Sequence, residues 1–594
     1  MSAVSKEAKE ATAVPPSYDA AGARVEHNEI ESITAPLDEE DRLLVERVGV
    51  KSEFAREFKS FSTISYAFAI MGLVSSVATT FNSPFMLGGP ASTVWTWFMG
   101  SVLNMSIGTA IAELVSAYPS AGGLYTASGL LVPRRYRRIV AWFTGWLNFL
   151  GQIAGIAGTE WGLANMIYAW VYVITDHPNR PDNNPFVAST GATIGLYIAL
   201  ICLHGIINSL GTKTLARMTS GYVVVNLGIT AVIIIVLLAV TPLNEMHSAS
   251  ETFTRINNQS GYPGRGGDAL AFLFGLYSVQ FVMTDYDATA HISEEVHRAS
   301  IAAPVAITIA VMGTGLVGWI LNIVLVLCSG DVAESDFGSF PGGMAMAEIM
   351  YRRMGKVGFL VVWPFVCSVA FFVVTTAIQA NARSFYAFSR DRGFPDRGFF
   401  AKINKRTGTT VNAVWLVVAP CIAMIFLAFT KQHVGVNAIF ALAALGMDLS
   451  YLSAIIARQI FANHPEVNFR PGPFTLGKGW FGRIVNYIAI LWTLFECVIL
   501  SIPTEKPMDQ YNFNYSWVIM IGVLILAAIL YVLYGRFVYR GPQSTLSPEL
   551  LRQLGIVNMN AEFSSGGASD GEHNTQPQSQ EQQEQQHHPG GKTE

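Results

Sequence analysis

Charge is scarce in this sequence. Of 594 residues only 13% are Asp, Glu, Lys or Arg, about half the share of an ordinary soluble domain. A soluble chain of this length would divide into several domains joined by polar linkers, yet residues 61–540 contain none. Cysteine is sparse too. The five residues (Cys202, Cys328, Cys367, Cys421 and Cys497) lie far apart in apolar stretches with no CxxC pair, which argues against a disulfide framework or a zinc site. No basic stripe suited to nucleic acid is present, and a net charge of −4 selects no class of partner. Ser/His/Asp constellations, phosphate loops and metal-ligand clusters are missing as well. No enzyme, cofactor or metal is therefore expected. A cleavable signal peptide is not expected either, because the first 60 residues are polar and the first apolar run begins far too deep.

What is present in abundance is hydrophobic surface: 51% of residues are apolar, and the mean hydropathy is +0.37. A membrane span needs about 20 consecutive apolar residues. Twelve such segments are predicted: 62–84, 93–117, 138–173, 188–208, 217–241, 268–292, 301–328, 356–388, 411–430, 434–460, 483–502 and 515–537. The fold class is thus an all-α polytopic membrane protein. Lys and Arg concentrate in the loops after span 2 (Arg134, Arg135, Arg137, Arg138), span 8 (Arg390, Arg392, Arg397, Lys402, Lys405, Arg406) and span 10 (Arg470, Lys478, Arg483). The positive-inside rule then places both termini in the cytosol. Arg352, Arg353 and Lys356 after span 7 dissent, while Arg180 and Lys431 stand alone in other outer loops. Asn258-Gln259-Ser260, a glycosylation sequon, falls outside.

The tails, 1–60 and 541–594, read as disordered, with low complexity from about 564 and a His pair at 587–588. Pro15-Pro16-Ser17-Tyr18 has the PPxY shape that WW domains bind as a preformed polyproline II helix. A WW-domain ubiquitin ligase docking there would reach Lys6 or Lys9.

Charges within spans cost about 2.5–3.5 kcal/mol at mid-depth on insertion scales, so the exceptions point to function. Span 6 holds the densest, Thr284-Asp285-Tyr286-Asp287 followed by His291, Glu294 and Glu295. An unbroken helix would turn Asp285 and Asp287 to nearly opposite sides. A break lets both face a cavity and frees carbonyls to hold a ligand. Asp287 is also placed to cap a half-helix restarting at Ala288. His291 and Glu295 continue its stripe at intervals of four, which suits either a proton path or a packed histidine. Glu294 and Glu295 are expected at the cytosolic surface. In span 1, Gly72 with Ser75 and Ser76 permits a second break capped by serine, or close packing against a neighbour. Breaks five spans apart suit two five-span repeats of opposite topology. Other intramembrane polar groups are Asn148, Gln152, Glu160, His204, Asn226, Gln379, Asn381, Arg383 and Glu496. Glu160 needs either a donor partner or a functional role. Glu113, near the inner end of span 2, is expected to anchor the next loop.

Five stretches in order, FAIMGL (68–73), GGP with a following VW (88–95), AELVSAYPSAGGLY (112–125), DYDATAHISEEV (285–296) and YAFSRDRGFPD (386–396), carry a resemblance. Over residues 55–540 the chain resembles the amino acid–polyamine–organocation superfamily, in particular its fungal GABA and choline permease branch. The resemblance implies a LeuT-like fold of ten spans in two inverted repeats plus two more. It also implies proton-coupled uptake of a small amine or amino acid across the plasma membrane, or alternatively the vacuolar membrane. Carried over by motif, Gly72, Leu73, Val74 and Ser75 line the span 1 break, Met283, Thr284, Asp285, Tyr286 and Asp287 line the span 6 break, and Glu113 shapes the inner gate. Glu160, His291 and Asn226 are candidates for coupling or gating. Two positions depart from the family pattern. Asp285 stands where the GABA-type motif has glycine, which favours a cation such as choline, a polyamine or thiamine. Asn226 stands where some bacterial relatives carry a coupling lysine. A nutrient sensor that binds without transporting is the alternative class.

Overall fold

The computed structural model describes residues 53–176, 186–330, 340–430, 434–467, 469–477, 479–510 and 512–542, with 44, 45, 47, 48 and 50. The PPxY motif, Lys6, Lys9, the His pair, Arg180, Lys431 and Lys478 lie outside these residues. Among the described residues eleven helices are long and apolar enough to span a membrane. The predicted sixth span supplies the twelfth crossing in pieces, Gly264–Leu273, Leu276–Val282 and Ala288–His291. No sheet forms among the described residues; pairing is limited to one isolated bridge, Phe58 with Val296.

Several spans outrun their hydrophobic runs. Span 2 is Asn82–Ala117, span 3 Arg134–Thr175 and span 8 Ala345–Arg390. Span 2 absorbs its GGP motif as a kink at Gly89 (φ 81°), and span 8 bends at Gly355 (φ 68°). The broadest packing joins spans 2 and 7 (Ala299–Ser329), spans 3 and 10 (Val434–Phe461), and spans 3 and 8. The first and last of these pairs are five spans apart, as two repeats require. Spans 1 and 10 are the most enclosed, and span 12 (Ser516–Val538) the least. Spans 3, 8 and 10 pack around the broken spans 1 and 6.

The loops segregate into two ends. At one, Asn257 N–H bonds Gly88 O, His247 N–H bonds Leu327 O, and Arg353 pairs with Glu245. Arg352 bonds Glu348, and Lys356 bonds the carbonyl of Asp176. Of the dissenting positive charges after span 7, the two arginines are thus ion-paired locally and Lys356 is hydrogen-bonded to backbone. Asn258 lies at this end, where its amide donates to Tyr262 O and Asp268 Oδ1, both at 2.9 Å.

The opposite end is closed by buried ion pairs. Glu294 and Glu295, expected at the surface, are each 1% exposed. Glu295 pairs with Arg383 of span 8, and Glu294 faces Arg390 at 3.5 Å while accepting from Ala121 N–H. This corrects the surface placement, because a carboxylate with an arginine partner can be buried where a lone one cannot. Residues 53–58, expected in the polar tail, run across the same end. Glu57 and Phe58 N–H bond Glu295 O at 3.0 Å, Tyr386 donates to Glu53, and Arg383 lies over the ring of Phe54.

Candidate functional site

Span 1 is two helices, Ser60–Met71 and Leu73–Thr80, joined at Gly72 (φ 49°, ψ 50°). That left-handed conformation suits glycine, and a Cβ there would collide with Val373 Cγ2 of span 8. The break frees the Met71 carbonyl, and an adjacent hydroxyl takes it up: Ser76 Oγ donates to Met71 O at 3.0 Å. Ser75 Oγ shares Gly72 O with the Ser76 N–H, each at 2.9 Å. Ser76 therefore satisfies the end of the first half-helix, where a serine cap on the second was expected. Asn226 of span 5 donates to Phe68 O at 3.3 Å, so this candidate braces the turn before the break.

In span 6 the helix ends at Val282, and Met283 to Asp287 are non-helical up to the restart at Ala288. Asp285 has φ 58°, a conformation in which a non-glycine residue costs about 1–2 kcal/mol. Its N–H donates to the Tyr451 hydroxyl of span 10 at 3.0 Å. Tyr451 in turn donates to Asp287 Oδ1 at 2.8 Å, and Asn148 of span 3 donates to Asp287 Oδ2 at 3.1 Å. Tyr286 stacks on Tyr451 with ring centroids 5.0 Å apart. Asp287 occupies the N-cap position but makes no side-chain cap; its carboxylate turns outward to these two donors. Both carboxylates were expected to face one cavity, but Asp285 alone lines it and Asp287 is fully buried. His291 Nε2 lies 3.4 Å from Asp287 Oδ2, and His291 Nδ1 is 3.0 Å from Ala121 O. A carbonyl only accepts, so Nδ1 carries a hydrogen, while Nε2 faces the carboxylate. The stripe stops there, since Glu295 turns away to Arg383.

Between the breaks lies a pocket of about 30 Å³, walled by Met71 and Ser76 of span 1, Thr159 of span 3, Phe281, Thr284 and Asp285 of span 6, and Val373 of span 8. That is room for about one water molecule. Thr284 Oγ1 and Asp285 Oδ1 are buried here without a hydrogen-bond partner. Of the expected lining, Thr284 and Asp285 form the wall. Gly72, Leu73, Val74 and Ser75 form the break behind it. Met283 accepts from Ser101 Oγ through sulfur at 3.3 Å, facing span 2. A second cavity of about 490 Å³ opens toward the end carrying Asn258, lined by Thr80, Asn82, Trp161, Asn165, Asn437 and Glu505 among others. Phe281 borders both spaces and packs edge-on against Phe440 of span 10, with centroids 4.8 Å apart. It is the partition between them.

The other candidates lie apart from this pocket. Glu160 and His204, both fully buried, face each other at 3.4 Å, and His204 bonds Thr375 at 3.0 Å. Glu113 accepts from Thr475 Oγ1 at 2.8 Å and Leu476 N–H at 2.9 Å, and Arg458 Nε lies 3.4 Å away. It thus anchors the loop after span 10, not the one that follows its own span. Tyr451, Phe281, Phe440 and Asp448 were not anticipated. Asp448 carried a readable signal, a carboxylate within the apolar run 434–460.

Comparison with known proteins gives a consistent result. The family model described as "Amino acid permease" matches residues 61–526. An uncharacterized amino-acid permease of Schizosaccharomyces pombe is 40% identical over 512 residues, covering 86% of this chain and 91% of the relative. Amino-acid permease 2 of Neurospora crassa is 31% identical, covering 86% and 90%. The GABA-specific permease of Saccharomyces cerevisiae is 27% identical, covering 88% and 89%.

Proposed function

The chain belongs to the amino acid permease family and imports amino acids or related amines, and on that premise we propose that the substrate binds between the breaks of spans 1 and 6 with its amine on Asp285. The buried, unpartnered Asp285 Oδ1 beside the equally unpartnered Thr284 Oγ1 carries this reading. Gln152 of span 3 faces Asp285 without satisfying Oδ1; a buried acceptor so placed costs free energy until a donor arrives, and an ammonium group is such a donor. A substrate carboxylate would take the first N–H groups of the half-helix Leu73–Thr80, which lack intrahelical acceptors. The wide cavity above Phe281 is the entry route, and the ion-paired opposite end is the closed exit. Phe281 must swing aside for anything larger than water to reach Asp285.

GABA and similar amino acids are the first substrates to test, since one relative is a GABA-specific permease. The extra carboxylate supports a second reading in which choline, a polyamine or thiamine is the cargo. We take import to be proton-coupled, in the plasma membrane, with both termini cytosolic and the carrier unit at 61–540. No enzymatic step, cofactor or metal is assigned. A WW-domain ubiquitin ligase at Pro15, Pro16 and Tyr18 is the proposed regulatory partner; unchanged turnover of a Tyr18→Ala variant would refute it. The main test is uptake of radiolabelled GABA, choline, putrescine and thiamine in cells lacking their own carriers. Uptake of at least one, strongly reduced by Asp285→Ala, is expected. No uptake of any amine, or wild-type uptake by Asp285→Ala, sinks the proposal. Saturable binding without flux identifies a sensor instead.

A further inference from the structure

We propose that Asp448 and Glu496 form a second buried site, separate from the substrate pocket, that binds one exchangeable proton and couples its release to movement of the substrate. The inference rests on the reading of the chain as a carrier and deepens it. Asp448 lies on span 10 and Glu496 on span 11 (Trp480–Ile499), with the two carboxyl groups in hydrogen-bonding reach of each other. Asp448 is 5% exposed and Glu496 fully buried. Both Glu496 oxygens and Asp448 Oδ2 lack a hydrogen-bond partner among the described residues.

Ionised carboxylates are acceptors only, so two of them face to face cannot bond. In a low-dielectric interior they repel, and each also carries a desolvation penalty. One proton between them turns the repulsion into an O–H···O hydrogen bond. No Lys, Arg or His among the described residues forms an ion pair with either group. The amide that faces Glu496 is neutral, Gln280 of span 6; Asn104 of span 2 in turn donates to Gln280, and Trp492 of span 11 donates to Asn104 Oδ1 at 2.7 Å. The other titratable groups facing the pair are Tyr286 of span 6 and Cys497 of span 11, and neither is a cation. The missing positive charge is therefore one that comes and goes. Intramembrane carboxylates of this kind serve as proton relays.

The pair also adjoins the moving part. Asp448 lies three residues before Tyr451, on the same face of span 10, and Tyr451 bonds both Asp285 N–H and Asp287. Gln280 belongs to the half-helix that leads into Asp285. Loss of the proton would drive spans 10 and 11 apart next to Tyr451, which holds the span 6 break.

The full-length protein reconstituted in liposomes tests this. Accumulation driven by an inward pH gradient requires coupling, whereas counterflow exchange of a labelled amine does not. Glu496→Gln and Asp448→Asn keep size and hydrogen-bonding capacity but cannot exchange an acidic proton. We expect gradient-driven accumulation to fall by about tenfold or more while counterflow persists. Undiminished accumulation in both variants overturns the proposal, as does loss of counterflow together with accumulation, or wild-type uptake that follows sodium instead of pH. A wild type with no counterflow of any amine refutes the carrier reading itself. Infrared difference spectra supply a readout independent of transport: the wild type should show a protonated-carboxyl band that Glu496→Gln lacks, and an unchanged band overturns the assignment.

Discussion

Spans 1 and 6 both lose their helical ladder at mid-span, each at a residue with positive φ, Gly72 at 49° and Asp285 at 58°. Their chemistry is opposite. Span 1 uses the residue type for which that conformation is unstrained, and its freed Met71 carbonyl is bonded by its own Ser76. Span 6 places a charged residue there and relies on other helices, with Tyr451 and Asn148 holding Asp287 and, among the described residues, Gln152 facing Asp285 without a hydrogen bond to Oδ1. A non-glycine residue stays in the left-handed region only where its surroundings over-determine it, and here span 10 supplies that constraint. The difference teaches a division of labour. Span 1 is a self-contained wall, whereas span 6 is an incomplete structure whose missing partner is the substrate and whose geometry follows span 10.

The sharpest way to break the comparison is Asp287→Ala. It removes the charged acceptor of two buried hydrogen bonds, from the Tyr451 hydroxyl and from Asn148 Nδ2, which keeps Ser450 Oγ at 3.3 Å; hydrogen bonds to a charged group are worth about 1.5–3 kcal/mol each. We expect a steep drop in thermal stability and no uptake. Wild-type melting would mean that span 6 is as self-sufficient as span 1. Gly72→Val comes next, because it combines left-handed strain with a collision at Val373 and should cost about 2–4 kcal/mol, again read by thermal unfolding in detergent. Asp285→Gly should act in the other direction on stability, relieving about 1 kcal/mol of strain while removing the charge. The expected result is a more stable protein whose uptake of GABA or putrescine falls about tenfold or more, the worth of one hydrogen bond to a charged group. Unchanged uptake of both would remove Asp285 from the substrate site.

The sequence made the two breaks legible for a simple reason: a glycine beside hydroxyls, and two carboxylates in an apolar run, violate the rule for a lipid-facing helix. What it hid were the partners. Asp287 reads as a cap until Asn148 and Tyr451 are placed beside it, and both lie in distant spans. Glu295 reads as a surface residue because Arg383 is 88 positions away. Tyr451, Phe281 and Phe440 are ordinary aromatic core residues by pattern, and only packing turns one into a clamp and the other two into a partition. Asn226 was noticed for the charge it lacks, whereas its observed contact is a hydrogen bond to Phe68 O. The twelve crossings survived because hydropathy is local, but their ends moved where helices such as span 2 continue through Gly89 and Pro90.

The finest test sets one hydroxyl from each break against the other. Ser76 and Thr284 both line the small pocket. Ser76 Oγ already donates its hydrogen to Met71 O, whereas Thr284 Oγ1 has no partner. Ser76→Ala deprives a buried carbonyl of its donor and should lower stability by about 1 kcal/mol, with uptake of the preferred amine changed by less than about threefold. Thr284→Ala removes a hydroxyl that stabilises nothing in the unliganded protein. Its melting temperature should stay at or above that of the wild type, and KM should rise as a contact to bound substrate is lost. Because the two substitutions delete the same functional group a few ångströms from the same pocket, a general loosening of the site would move both variants alike. Opposite outcomes in melting and uptake would separate the wall from the incomplete helix, and identical outcomes would merge them.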